Sequence, residues 1–166
     1  MIAPLSLCNV ITVFLAVMCL RTIASQSRGG VVRLWRLAMP PCFAAAVALV
    51  LLAGVFDATL AHDAEWLAAL IVGALIGRMR GWALPVQTDR TLGLVRSVRT
   101  LDGSAAAVGL VIFSIFDFVG AALEDPVVAP QYVAAGAALF AAFIGSRALA
   151  MVTRAKREPG IELHNA

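Results

Sequence analysis

The chain has 166 residues, 61% of them hydrophobic, 14% charged and 7% aromatic, with a mean hydropathy of +0.92. An ordinary soluble domain is about 45–50% apolar and about 25% charged, and one of this length has neither the interior to hide so many apolar residues nor the charge to cover them. A soluble globular enzyme, a disordered chain and a nucleic-acid binder are disfavoured on these grounds, which leaves a small all-α membrane protein. The net charge of +3 rests on twelve Arg and one Lys against ten acids; in a membrane protein the placing of basic residues mainly reports orientation. The Arg and Ala bias suggests a GC-rich bacterial genome.

A bilayer core of about 30 Å takes roughly 20 apolar residues in a helix. Five spans are expected, at about 2–20, 37–56, 58–78, 104–123 and 132–152, in one transmembrane domain followed by a polar tail at 153–166. The first run, Ile2–Leu20, is broken only by Ser6, Asn9 and Thr12. Its arginines follow the apolar run, so it reads as a retained helix and not as a signal peptide. Pro40 and Pro41 fall in the first turn of the second run, where a missing N–H does no harm. The third is the shortest: Trp66–Gly77 is only a dozen apolar residues, a length that also fits a re-entrant segment. Trp66 and Trp82, about 24 Å apart along a helix, could occupy the two aromatic belts of a full crossing.

Charge decides for the crossing. With five spans the basic residues fall in the 21–36 loop, the 78–103 loop and the C-terminal end, while the other two loops hold only Asp57, His62, Asp63, Glu65, Glu124 and Asp125. Every loop then obeys the positive-inside rule, with the N-terminus outside and the C-terminus inside, as in a bacterial inner-membrane protein.

Between the third and fourth spans, apolar and polar residues interleave through Leu94–Leu101, and Asp89–Gly93 supplies turn chemistry. A short cytoplasmic β-hairpin fits this pattern, as does a solvated basic loop against anionic headgroups. Asp102-Gly103-Ser104 reads as the turn and N-cap of the fourth helix.

The layout resembles the CcdC-like group of uncharacterised bacterial membrane proteins. The resemblance runs through Arg33-Leu-Trp-Arg-Leu-Ala-Met39 with Pro40, Gly73-Ala-Leu-Ile-Gly77-Arg78 and the hairpin region ending in Gly103-Ser104. It continues through Phe113-Ser-Ile-Phe-Asp-Phe-Val-Gly120 and the last helix with Gly145 and Arg147. It implies an integral-membrane fold and brings no activity.

Few residues carry chemistry. Asp117 lies within the fourth span, about 10 Å from Glu124. A carboxylate there is costly and finds a partner on the protein interior. Ser114 shares its face, and Asn9, Thr12 and His62 are candidate partners. The readings are a structural hydrogen bond between helices, a proton or cation site, or exposure to lipid or water. Gly73 and Gly77, with Gly120, are candidates for close helix packing within the chain or between copies. Cys8, Cys19 and Cys42 form no Cys-x-x-Cys and read as small hydrophobes. The acidic outer loops lack a spaced metal-ligand set, His164 lies in the tail, and no hydrolase or P-loop motif occurs. No cofactor is expected. The expected partners are the lipid bilayer and either further copies of the chain or a membrane protein. Three functions compete: a non-enzymatic packing or partner-binding component, a small oligomeric transporter or channel using Asp117, and a membrane thiol or lipid-modifying enzyme, against which the absence of catalytic motifs favours the first.

Overall fold

The computed structural model describes residues 7–27, 30–54, 60–89, 93–97 and 100–157. Within them lie five helices long and apolar enough to cross a membrane. In chain order the elements are α1 (Leu7–Ser27), β1 (Gly30–Arg33), a 3₁₀ turn (Leu34–Ala38), α2 (Met39–Gly54), α3 (Leu60–Ala83), β2 (Val86–Asp89), β3 (Leu94–Ser97), α4 (Asp102–Leu123) and α5 (Pro130–Arg157).

The helix boundaries shift from those expected. α1 reaches Ser27, so Arg21 lies on the helix and not in the following loop. Its last turns stay helical because their hydroxyls are satisfied locally: Thr22 Oγ1 donates to the Met18 and Cys19 carbonyls, Ser25 to Thr22 and Ser27 to Ala24. Such back-bonding lets polar side chains sit in a helix without seeking water. The segment at Trp66–Gly77 belongs to a 24-residue helix that carries both Trp66 and Trp82, with Arg78 and Arg80 on it. At the C-terminus, α5 takes in Arg154, Lys156 and Arg157, which were expected in the tail. Residues 2–6, Arg28, Asp57, Arg90, Arg99 and His164 lie outside the described residues.

The central helix is α5, against which α2, α3 and α4 pack, while α1 packs on α2 and α4. Alanine makes this possible: Ala16, Ala44, Ala106, Ala107 and Ala137 are buried in the core beside Val47, Leu51, Leu110 and Ile144. The α4–α5 contact interlocks large with small. A methyl at Gly109 would stand 2.5 Å from the Phe140 ring, and one at Gly136 would overlap the Phe113 ring. The two rings lie 6.1 Å apart.

A small sheet closes the end of the bundle where α1 finishes and α4 begins. The expected hairpin is β2–β3, turning through Gly93 at φ +61°. The 30–33 segment, expected as loop, adds a third strand, in the order β1-β3-β2, all antiparallel. The Leu34 N–H continues the ladder to the Gly93 carbonyl. What docks the sheet is Val95, 2% exposed, packed with Leu37, Met151 and Ala155. The chain direction puts Arg78, Arg80, Arg96, Arg154, Lys156 and Arg157 at this end and Asp63, Glu65, Glu124 and Asp125 at the other.

Candidate functional site

Two polar groupings interrupt the apolar bundle. The first joins α1 to α4. Asn9 Nδ2 donates to Asp117 Oδ2 over 2.8 Å. The two neighbours expected to share this site donate elsewhere. Thr12, 1% exposed, donates its hydroxyl to the Asn9 carbonyl of its own helix, and fully buried Ser114 donates to the Leu110 carbonyl. Both are thereby satisfied within their helices. His62 is half-buried on α3, and α3 runs along α5 instead of along the α1–α4 contact.

The glycines part company too. Gly73 and Gly77 lie against α5: a methyl at Gly73 would overlap the Leu139 carbonyl, and one at Gly77 the Phe143 carbonyl and the Ser146 hydroxyl. Gly81 extends the series by one more step of four, meeting Ala150 Cβ and the Arg147 carbonyl at 2.7 Å. These three are buried on a helix whose Leu70, Ile71, Leu75, Ile76 and Met79 are exposed, so α3 is held to the bundle mainly through a glycine ridge. The i, i+4, i+8 spacing of Gly73, Gly77 and Gly81 is visible in the sequence, though Gly81 lies beyond the apolar run. Gly120 instead sits under the α4–α5 turn, 3.4 Å from Pro126 Cα for an added methyl. That is ordinary contact and not a helix–helix approach.

The second grouping was not anticipated. It lies at the sheet end, where α3, α4 and α5 converge. Helix α4 starts at Asp102, with Leu101 as an N-cap that has no side-chain cap bond, so the expected Asp102-Gly103-Ser104 capping turn does not form. Asp102 instead faces two guanidinium groups. Its Oδ2 lies 3.6 Å from Arg147 Nε and 3.5 Å from Arg80 Nε. Arg147 also donates from Nη2 to Thr100 Oγ1 at 2.7 Å. The absence of a side chain at Gly103 admits the guanidinium, since a methyl there would stand 3.0 Å from Nη1. Arg147 and Asp102 are 14% and 13% exposed, and Arg80 is 60% exposed. The only sequence signal for this cluster was Arg147 itself, an arginine inside an apolar helix. Its partner is 45 positions earlier, in a stretch that reads as a turn.

Cys19 is fully buried and its thiol donates to the Pro40 carbonyl at 3.4 Å, whereas Cys8 and Cys42 are exposed on the helix surfaces. On the acidic end, Asp63 accepts the Trp66 indole N–H. Among the described residues no group of three or more His, Cys, Asp or Glu is placed to hold a metal ion.

No protein-family model matches the chain, and neither does any curated protein or solved structure.

Proposed function

We propose that this chain is an integral membrane protein with five spans, N-terminus outside and sheet end inside, acting as a non-enzymatic packing or partner-binding component of the membrane. Five apolar helices with large exposed aliphatic surfaces support the membrane reading, because water would not tolerate them. The gathering of the basic side chains at the sheet end supports the orientation.

The observation that carries the non-enzymatic reading is the Asn9–Asp117 bond. A carboxylate in an apolar span is expected to be functional unless its partner explains it, and here the partner is a neutral amide that clamps two helices. The nearby hydroxyls of Thr12 and Ser114 donate to backbone carbonyls of their own helices and not to Asp117. A packing role tolerates Asp117→Asn, which keeps an acceptor for Asn9; a proton or cation site does not. Purified wild type and Asp117→Asn should therefore match in thermal unfolding and in proton or cation uptake by vesicles carrying the protein. An uptake that only the wild type shows would replace this reading with the transporter.

A further inference from the structure

We infer that the cleft beside Arg147 binds a phosphate oxyanion, supplied by an anionic phospholipid headgroup, and that Asp102 is the internal carboxylate that competes with it. Three observations lead there. The first is charge: two guanidinium groups share a single carboxylate, leaving one cationic charge in excess, and neither lies closer to it than 3.5 Å. A well-formed guanidinium–carboxylate pair sits at about 2.7–2.9 Å, so Asp102 holds the arginines by charge without occupying their donors.

The second is donor supply. Among the described residues the Arg147 guanidinium donates one hydrogen bond, to Thr100, and its Nε makes none. Five N–H donors in a rigid fork are suited to the oxygens of a phosphate group. The uncapped start of α4 adds a partial positive charge at the same place.

The third is the lining and position of the space. Arg147 lines a small, part-open cleft whose wall is part polar, at Gln26, Ser27 and Thr100, and part apolar, at Ile23, Leu37 and Met151. Ile23, Leu37 and Met151 are core residues that show only their edges here, so the choice of a lipid headgroup over a free anion rests on where the cleft lies along the bundle. The cleft lies at the sheet end of α1, α4 and α5, where the apolar stretches of the spans give way to the basic residues. That is the level a headgroup would occupy.

The inference rests on the membrane reading above, and its test separates the two. A chain that does not fractionate with membranes fails that reading. A chain extracted intact from membranes can be titrated with phosphatidylglycerol or phosphatidylcholine in neutral detergent and followed by native mass spectrometry. One phosphatidylglycerol should bind about fivefold more tightly than phosphatidylcholine, the scale of one cation near an anionic headgroup. Arg147→Gln should abolish that preference, and Asp102→Asn should raise phosphatidylglycerol affinity by removing the competitor. Displacement of the lipid by inorganic phosphate from wild type, but no phosphate binding to Arg147→Gln, would place the shared chemistry at Arg147. Phosphate bound without any lipid preference would assign the free anion as the source and overturn the lipid. An Arg147→Gln protein that keeps the preference overturns the site. If Arg147→Gln does not survive extraction, Asp102→Asn decides alone: a rise in affinity supports the site and a fall, as from a purely structural ion pair, overturns it.

Discussion

The side-chain amide of Asn9 and the carboxylate of Asp117, 108 positions apart in sequence, meet at 2.8 Å and join α1 to α4 within their apolar lengths. Both side chains are part-buried, so an apolar replacement of Asp117 removes an acceptor from a desolvated amide donor, at a cost. Measured side-chain hydrogen bonds between membrane helices average about 0.6 kcal/mol and reach about 1.7. Asp117→Leu should cost within that range, and Asp117→Asn should stay close to wild type, as read by thermal unfolding in detergent. Equal losses in both variants would mean that the charge, and not the hydrogen bond, matters to the fold.

The glycine ridge makes an opposite pair of predictions on neighbouring helices. Gly77→Ala drives a methyl into the Phe143 carbonyl, which is backbone and cannot rotate away. Overpacking of this kind costs about 1–3 kcal/mol, and the variant should unfold at a lower temperature and release α3 to protease. Gly145 has nothing within 4 Å of an added methyl. There the greater helix propensity of alanine, worth up to about 1 kcal/mol, should make Gly145→Ala neutral to stabilising in the same unfolding assay.

Arg154 closes the far end of α3. Its Nη1 donates to the Trp82 and Leu84 carbonyls, and its guanidinium lies 6.0 Å from the Trp82 ring centre. A cation on the last carbonyls of a helix is worth about 0.3–1 kcal/mol. Arg154→Gln should fray the final turn of α3, seen as faster amide exchange around Trp82 and a shift in its fluorescence. Amide exchange unchanged at Trp82 would show that the cap is dispensable.

The orientation is open to direct labelling. On a background without Cys8, Cys19 and Cys42, single cysteines at Gln87 and Leu101 should be blocked from membrane-impermeant maleimide in intact cells. Cysteines at Glu65 and Asp125 should react. All four positions are exposed, unlike Gly103, which is buried. Reaction at Leu101 in intact cells would reverse the orientation, and reaction at Leu101 and Asp125 together would remove the crossing between them.

The sequence by itself determined the number of long apolar helices, because hydrophobic run length is a local quantity and the basic residues sort into alternate loops only with five spans. Between Val86 and Leu101 it left a hairpin and a solvated loop both open, and the pairing of β2 with β3 decided for the hairpin. It also placed Asn9 among the few polar groups able to reach Asp117, since so apolar a chain offers little choice. Tertiary structure decided the rest. Val31 and Val32 favour extended backbone, but so short a segment becomes a strand only because β3 presents an open edge beside it. Helix ends moved outward because Thr22 and Ser25 found carbonyls on their own helix, and a hydropathy window counts them as polar. Gly81 and Gly120 look alike in sequence, yet one faces the backbone of α5 and the other a turn. Asp102 reads as a helix cap until the fold brings Arg147 over Gly103. Pairing between residues distant in the chain depends on which helix faces meet, and local patterning does not encode that.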